Sequence, residues 1–566
     1  MVAKIPKKPQ NAAIFYKPEG YTTKTTRILG RMAAGEGFLK AYVESQKGQP
    51  LYCYCDNQSE FEHFRNTVTP WLKQPSQLVF IPRSQSSRIQ NVGNLYLPGP
   101  ALGDFAWQRR FYNQRGYSIC GVTHTIASKE AINSIANLLL APVQPWDALV
   151  CTSNAAKTAV ERILNDWGEY LGQKFNTTVK FNFQLPVIPL GVDTKTYQFN
   201  PEYRNRLRST LNIAEDDIVI LFFGRLIFYA KAHPVPMYLA VEKAVNSASF
   251  KNKIHLIQCG WFEEQREEIA FKESAIQFAP SVNHIFLDGR NPGIRQQIWS
   301  AADIFISLSD NIQETFGLTP IEAMACGLPV VVSDWDGYKD TVRHEIDGFR
   351  ISTIIPPEDY FLNFAHDYHI DAINYSMFIA YSCFATMVDI EECASALAKL
   401  IENPDLRRKM GENGRKRAEE IYDWQNVINR YRDLWEQLEE IRNINEMSVP
   451  VRNNSRANPL CDDPFHLFSH YSSQRLHPET RLRLGNNARE SLQKIRKIWI
   501  TSFGENTRFK NEIVDDILNQ FSEKPTIELD YFLRVYGENI APILYRTIMY
   551  LLKFGILEVE RDSSDK

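Results

Sequence analysis

The sequence lacks long apolar runs, and its cysteines follow no disulfide pattern. Nowhere in its 566 residues do the roughly 18 consecutive apolar side chains of a membrane-spanning helix occur. No apolar stretch of about 7–15 residues follows the charged N-terminus, so we expect no secretory signal. The nine cysteines are odd in number and scattered, unlike a disulfide framework. We therefore expect a chain without a spanning helix, located in a reducing compartment, the cytoplasm.

An excess of charge of one sign is also missing. The 64 Lys and Arg residues against 67 Asp and Glu leave a net charge of −3, so no basic field points to nucleic acid. A local pocket would have to bind any anionic substrate. The hydrophobic share of 44%, aromatic share of 12% and charged share of 23% are ordinary for a globular protein. They exclude wholesale disorder, collagen and coiled-coil rods.

Two consecutive series of short β-branched or aromatic runs dominate the chain. The first series predicts strands at 12–16, 51–55, 77–82, 117–124, 147–153 and 186–191. The second predicts strands at 218–224, 253–260, 284–289, 303–309 and 329–334. Amphipathic stretches alternate with these runs, an order that favours parallel sheets covered by helices. The predicted fold class is α/β, with two facing Rossmann-like domains and ligands at the carboxyl ends of the strands.

The predicted division of the chain follows from these series and from composition. The N-terminal domain is expected at 1–199, and the C-terminal domain at 200–445 with closing helices and an aromatic insertion at about 354–390. Residues 446–480 are rich in Asn, Ser and Pro and predict a linker. Residues 481–566 predict a mainly helical appendage, for which a winged-helix-like module is one interpretation.

The segment ETFGLTPIEAMACGLPVVVSDWDG, residues 314–337, carries the most information about function. Thr319 as N-cap, Pro320 at the first helical position and Glu322 at the third would form a capping box. That structural interpretation leaves Glu314 and the F-G-L loop unexplained. Gly317 would let a ligand approach the helix N-terminus closely, and helix N-termini commonly bind phosphate.

This segment resembles the retaining, nucleotide-sugar-dependent glycosyltransferases of the GT-B fold, specifically the large GT4-like group (glycosyl transferases group 1). The resemblance rests on the E-x7-E pattern, the intervening F-G-L and the following EAMACGLPVVVSD. Three further segments occur in the family's order: DALVCTSNAAK (147–157), PVIPLGVDTKTY (186–197) and FFGRLIFYAK (222–231).

The resemblance implies a role for each matching residue. Arg225 and Lys231 correspond to the basic pair that grips the donor diphosphate and stabilises the leaving nucleotide. Glu322 corresponds to the glutamate that accepts hydrogen bonds from ribose hydroxyls, and Glu314 to the one beside the donor sugar at the reacting centre. The resemblance implies front-face attack with retention rather than a covalent nucleophile. Three further residues are expected to contact the donor: Gly317, Leu318 and Thr319.

Three residues of the N-terminal domain complete the predicted site. His124 closes a predicted strand where the family often has a histidine that contacts the donor sugar or diphosphate; a purely structural histidine is the alternative. Gly35 and Gly37 are predicted in a glycine-rich loop just before a helix, in the position of the family's phosphate-approaching loop. Their spacing departs from the usual pattern, and helix capping is the alternative.

No metal site is predicted. Cys53 and Cys55 form a C-x-C pair without a second Cys/His pair at a spacing typical of zinc. Asp334 and Asp336 have D-x-D spacing, but they lie in the segment that resembles a metal-independent family. We expect no metal or other cofactor, with the nucleotide diphosphate sugar as donor substrate.

The acceptor and the partners stay open at this stage. A carbohydrate, lipid or protein acceptor is compatible with the sequence. The tail from 450 to 566 has 17 basic and 16 acidic residues, with a basic cluster at 481–499. That cluster is either the solvated face of a helix or a peripheral membrane or protein contact. The alternative functions are a non-catalytic scaffold that binds sugar nucleotide or glycan, and a same-fold epimerase or phosphorylase.

Overall fold

The computed structural model describes residues 10–23, 30–444 and 457–560. The chain divides into two compact units, with the boundary between Cys461 and Asp462. This boundary lies within the predicted linker 446–480, of which residues 446–456 lie outside the described residues. Among the helices that the structure describes, none has the length and apolar character of a membrane span.

The first unit begins with a parallel six-stranded sheet, the N lobe, in the order β3-β2-β1-β4-β5-β6. Its strands read as nearly continuous apolar runs because helices cover both faces. The strands are β1 (Ala13–Phe15), β2 (Leu51–Cys55), β3 (Leu78–Pro82), β4 (Asn94–Tyr96), β5 (Ser118–Val122) and β6 (Ala148–Val150). The helices are α1 (Gly30–Ser45), α2 (Gln58–Val68), α3 (Leu102–Tyr112), α4 (Lys129–Ala136) and α5 (Asn154–Phe175).

A second parallel six-stranded sheet, in the order β12-β11-β10-β7-β8-β9, forms the C lobe. The predicted α/β class with two doubly wound sheets is thereby confirmed. The strands are β7 (Ile218–Phe223), β8 (Ile254–Gly260), β9 (Asn283–Asp288), β10 (Ile304–Ser307), β11 (Val330–Ser333) and β12 (Gly348–Ile351). The helices are α6 (Pro201–Thr210), α7 (Pro234–Ser247), α8 (Gln265–Phe278), α9 (Pro292–Ala301), α10 (Leu318–Ala325) and α11 (Tyr338–Thr341).

The predicted insertion is a discrete excursion from the C lobe. Two short antiparallel strands, β13 (Thr353–Ile354) and β14 (Met387–Val388), pair at its base. Two helices lie between them, α12 (Leu362–His369) and α13 (Tyr375–Phe384).

The last helix of the unit corrects the predicted domain boundary. After α14 (Ile390–Glu402), α15 (Pro404–Arg417) and a π-helical turn, α16 (Trp424–Ile444) crosses back to the N lobe. Its apolar stripe joins the N-lobe core, with Tyr431 against the Phe38 ring at 5.1 Å. The range predicted for the C-terminal domain, 200–445, therefore ends in a helix that stabilises the other lobe.

The second unit is mainly helical, as predicted. Its antiparallel sheet has the order β16-β15-β17. All three strands are separated by helices, so residues 457–560 contain no strand–turn–strand wing of the kind a winged helix has. Its elements are α17 (Pro464–Leu467), β15 (Arg481–Leu484), α18 (Ala488–Ile495), α19 (Trp499–Ser502), α20 (Asn511–Gln520), β16 (Thr526–Glu528), α21 (Leu529–Tyr536), α22 (Ala541–Lys553) and β17 (Leu557–Val559).

Candidate active site

A cavity of about 630 Å³ lies between the N and C lobes. Loops that follow β4 and β5 line it from the N lobe, and loops that follow β7, β8, β9 and β10 line it from the C lobe. This is the carboxyl edge of both sheets, where doubly wound folds bind ligands. Eight of the ten predicted site residues line the cavity: His124, Arg225, Lys231, Glu314, Gly317, Leu318, Thr319 and Glu322.

Lys231 and Glu314 form an ion pair in the cavity. The Lys231 Nζ lies 2.7 Å from the Glu314 Oε2, and the other carboxylate oxygen accepts a hydrogen bond from the backbone N–H of Gly317 at 3.1 Å. Burial favours a higher pKa of Glu314, but the Lys231 charge and the backbone donors outweigh it and lower the pKa. Glu314 is therefore an anion at neutral pH, held between a lysine and the start of α10.

Glu322 lies on α10 beside two residues that the sequence did not single out. Burial raises the pKa of Glu322, while the positive charge of Arg295 and a hydrogen bond from Tyr197 act in the opposite direction. Arg295 comes from α9 and also lines the cavity. Nothing in the sequence around it distinguishes it from a solvent-facing arginine on an amphipathic helix, so only the fold reveals it.

The start of α10 differs from the predicted capping box. The helix begins at Leu318 with Gly317 as its N-cap at φ 82°, and no side chain caps it. Thr319 is thus the second helical residue and Glu322 the fifth, too far along the helix to reach back to the N-cap. A Cβ at position 317 would collide with the ring of Tyr338, so this close turn requires glycine. The uncapped N-terminus opens into the cavity, with the positive end of the helix dipole exposed there.

His124 lies directly after β5 on the N-lobe wall. Burial and then the charge of Arg31 lower its pKa to about 4, and a hydrogen bond with the Pro98 carbonyl acts against this shift. Its imidazole is neutral at pH 7. With one ring N–H donated to Pro98, the other nitrogen can accept a hydrogen bond from a ligand hydroxyl.

Arg225 follows β7 and lies 3.5 Å from the Oε1 of Glu263, which also lines the cavity. Arg31 approaches from the N lobe and Arg295 from α9. Together with Lys231, these arginines place positive charges on several walls of the cavity. An anionic ligand such as a diphosphate would find charge-assisted donors here.

The prediction for Gly35 and Gly37 is wrong. Both residues lie inside α1, which begins at Gly30, and neither lines the cavity. A Cβ at position 35 would collide with the carbonyl oxygen of Gly20, and one at position 37 would lie 2.8 Å from the Trp424 ring. These glycines allow close packing of α1; the residues of α1 that do reach the cavity include Gly30 and Arg31.

Asp336, which has D-x-D spacing with Asp334 but was not predicted to bind a metal, lies in an unusual environment. It has a left-handed backbone with φ 39°, and its buried Oδ2 has no hydrogen-bond partner. Burial and then the negative charge of Glu314 raise its pKa well above the usual range. The nearby charge of Glu314 therefore disfavours the ionised form of the Asp336 carboxyl.

The insertion forms part of the cavity wall and contacts both lobes. Tyr375, at the start of α13, lines the cavity and donates a hydrogen bond to the Gln313 Oε1 at 3.3 Å. On the N lobe, the Lys129 Nζ donates to the His369 carbonyl at 3.0 Å, and its backbone N–H donates to the Tyr368 hydroxyl at 3.2 Å. The insertion therefore connects the two lobes beside the cavity.

Two facing six-stranded α/β lobes with a ligand-sized cleft at their carboxyl edges define the GT-B fold. Anabaena Alr3699/HepE, solved in complex with UDP, shares this architecture with a TM-score of 0.50 at 16% identity. The alignment covers 75% of this chain and 100% of that one. At this level of identity the likeness establishes the fold alone.

The C lobe also carries a sequence match to a family. Residues 204–357 match the family model of the glycosyl transferases group 1, which confirms the predicted resemblance over this part of the chain. The lipopolysaccharide 1,2-N-acetylglucosaminetransferase of Salmonella typhimurium is 25% identical over 170 residues, 30% of this chain and 43% of that protein. The D-inositol 3-phosphate glycosyltransferase of Geodermatophilus obscurus is 29% identical over 178 residues, which cover 31% of this chain and 38% of that protein. The chain thus spans about two fifths of the length of the curated relatives it matches.

Proposed function

We propose that the protein is a retaining, metal-independent glycosyltransferase that moves a hexose from a nucleotide diphosphate sugar to an acceptor. The observation that carries this proposal is the 2.7 Å Lys231–Glu314 ion pair beside the uncapped N-terminus of α10 in the cleft. The family match and the named activities of the relatives support the same class of reaction. Because Anabaena Alr3699/HepE is described in complex with UDP, uridine diphosphate sugars are the first donors to test.

In the proposed reaction, Arg225, Lys231 and the start of α10 bind the donor diphosphate. As the bond between the anomeric carbon and the phosphate oxygen breaks, negative charge grows on the leaving nucleotide, and these cations and the helix dipole stabilise it. The acceptor oxygen attacks from the same face and forms the new glycosidic bond. Its proton passes to the departing phosphate, so no protein base is required.

Three further residues have proposed roles around the donor sugar. Glu314, anionic at neutral pH, holds sugar hydroxyls and stabilises positive charge that develops at the anomeric carbon. Neutral His124 accepts a hydrogen bond from a sugar hydroxyl on the opposite wall. Glu322, beside Arg295, accepts hydrogen bonds from the ribose.

A cytoplasmic location forms part of the proposal. All nine cysteines fall among the described residues and all are free thiols, eight of them buried. Unpaired cysteines throughout a chain are typical of a reducing compartment. The predicted partner contact through 481–499 also stays a proposal and is developed below.

The test begins with calorimetric titration of the full chain against UDP-, GDP- and ADP-sugars, with and without a chelator. We expect one class of nucleotide to bind, at an affinity that the chelator leaves unchanged. Arg225→Ala should abolish this binding. Arg408→Ala, which removes an exposed arginine of α15, is the matched control and should bind as the wild type does.

Turnover of the bound donor is then followed by NMR, which reports the anomeric configuration of the product. Retention supports the proposal, and inversion or a loss of activity on chelation would contradict its mechanism. Donor binding without any turnover would favour the scaffold alternative. Conversion of the donor sugar without transfer would favour an epimerase.

A further inference from the structure

The second unit exposes a cluster of large apolar side chains at one turn, which we call the apolar tip, residues 498–503. Trp499, Ile500 and Phe503 are 79%, 72% and 80% exposed, and Ile498 is 49% exposed. Burial of such side chains is normally favourable. Four such side chains exposed together on a folded unit therefore indicate a binding surface that a membrane or another molecule covers.

The apolar tip is a formed structure that holds these side chains outward. The Thr501 hydroxyl donates a hydrogen bond to the Ile498 carbonyl at 2.7 Å. Gly504 at φ 76° ends the turn, and Arg508 donates to the Ser502 carbonyl at 3.2 Å. The Arg508 guanidinium also lies 3.8 Å from the centre of the Tyr550 ring. Exposure of the tip is thus fixed by its own hydrogen bonds.

The sequence on either side of the apolar tip is basic. Residues 489–510 contain six Lys and Arg against two Asp and Glu, a net charge of +4 in a chain whose net charge is −3. Within this stretch, Lys497 and Lys510 are exposed, whereas Arg496 pairs with Asp515 at 2.9 Å. We call the exposed residues Lys497 and Lys510, which flank the apolar tip in the sequence, the basic rim.

The position of this surface corrects the stretch predicted for contact, 481–499. Within that stretch, α18 turns Ala488 and Leu492 into the core of its own unit, so its apolar face is already covered. Only the last residues of the stretch reach the apolar tip.

We propose that the apolar tip inserts into the interfacial layer of an anionic lipid bilayer while the basic rim contacts the lipid headgroups. Tryptophan favours the boundary between water and hydrocarbon, and basic side chains around an apolar surface bind anionic lipid. A second copy of the same surface would bring the exposed lysines of one basic rim against those of the other. Protein interfaces are also depleted in lysine at their cores. The bilayer therefore fits this surface better than a protein does.

The experiment is flotation of the full chain with vesicles of phosphatidylcholine alone or with about 30% phosphatidylglycerol. We expect binding to the anionic vesicles that weakens with salt. The Trp499→Ala/Phe503→Ala double variant should lose at least about tenfold in partitioning, because two large apolar side chains no longer insert. Phe111→Ala, which removes a 68% exposed aromatic side chain of α3, is the matched control and should leave binding unchanged.

A second readout locates the inserted residue. Brominated lipid should quench tryptophan fluorescence of the wild type more than that of Trp499→Phe. Lys497→Ala/Lys510→Ala should weaken binding to anionic vesicles and leave the weak binding to neutral ones unchanged. Equal wild-type binding to both vesicle types, or full binding by the tip variant, would overturn the proposal. Self-association of the wild type without vesicle binding, abolished in the tip variant, would assign the surface to a second copy instead.

Discussion

The Lys231–Glu314 ion pair is a single unit whose two members depend on each other. Without Lys231, the half-buried Glu314 carboxylate loses its counter-charge; without Glu314, Lys231 loses the acceptor that positions it. We expect Lys231→Ala and Glu314→Ala each to lower donor turnover by at least about 10²-fold. The double variant should be hardly worse than the poorer single variant, since groups that act together are not additive. Steady-state kinetics with the donor identified by calorimetry measures the turnover of the two single variants and the double variant.

A matched control for this pair is available on the surface of the same lobe. Lys243 and Glu391 also form an ion pair, at 2.6 Å, but both are exposed and neither lines the cavity. Removal of that pair should change stability by less than about 0.5 kcal/mol and leave turnover unchanged. Wild-type rates in both cavity variants would disprove the proposed site.

Asp336 provides a prediction about pH. Burial and then Glu314 raise the pKa of its carboxyl in the folded state, whereas the unfolded carboxyl ionises near its ordinary pKa of about 3.9. The unfolded state therefore binds fewer protons above that pH, and the wild type loses stability as pH rises. Because asparagine cannot ionise, Asp336→Asn should have a higher melting temperature than the wild type at pH 8. This difference should shrink toward pH 4.

Thermal unfolding between pH 4 and pH 8 measures this difference. Asp288→Asn is the control with the opposite sign, because a hydrogen bond from Arg290 lowers the pKa of the exposed Asp288. Its effect should be small and destabilising, nearly constant across this range, and lost only at lower pH, because both the folded and the unfolded pKa of Asp288 lie at or below about 4. A constant difference for Asp336→Asn at every pH would point instead to relief of the left-handed backbone at φ 39°.

The site residues that the sequence predicted correctly belong to local sequence patterns, which identify them without knowledge of the fold. Glu314, Gly317 and Glu322 stand at fixed spacing between an apolar strand and a helix, and the structure brings them to one cavity. Arg295 reaches that cavity only through the placement of α9. Its contribution depends on tertiary packing, which no local pattern encodes.

At the level of elements, α1 shows how a glycine pattern can be misread. The position of Gly35 and Gly37, just before a predicted helix, indicated a phosphate loop, but the helix begins earlier and needs both glycines for close packing. Gly35→Ala should lower the stability of the protein by about 1–3 kcal/mol, because its Cβ would meet a backbone carbonyl that cannot easily move. Donor affinity of the folded fraction should stay unchanged. Chemical denaturation and calorimetry measure the two quantities.

Gly30→Ala is the control within the same helix. A Cβ at position 30 meets nothing within 4 Å, so alanine should leave stability unchanged or raise it slightly. A stable Gly35→Ala variant with weakened donor binding would restore the predicted loop role.

Strands were predictable where apolar runs were long and free of proline. The six-residue β7 and seven-residue β8 lie where the sequence predicted them, whereas β4 was missed because its apolar run, residues 95–97, is only three residues long and ends at Pro98. The predicted strand at 186–191 forms only an isolated bridge between Cys151 and Val187. Pro186 and Pro189 flank this bridge and lack the N–H groups that a ladder needs.

On the scale of the whole molecule, the chain consists of two units with separate cores. The core of the second unit includes Leu482, Leu492, Ile517 and Leu544, whereas the cores of the first unit extend no further than Leu438 among the residues that the structure describes. The division was predictable because composition changes at the linker. The return of α16 to the N lobe was not, because its apolar stripe shows that it packs but not on which lobe.

Truncation after Cys461 should therefore leave a folded first unit. That unit contains every residue of the cavity and the crossing helix α16, so donor affinity should stay within about twofold of the full chain. Because cores that fold separately unfold separately, scanning calorimetry of the full chain should show two transitions, of which the truncated chain keeps one. The truncated chain should also fail to float with anionic vesicles, since it lacks the apolar tip. Truncation at residue 423 is the control: it removes α16, exposes the N-lobe core and should abolish cooperative unfolding.

If truncation after Cys461 instead gave an unfolded chain, the first unit would depend on the second unit for its stability.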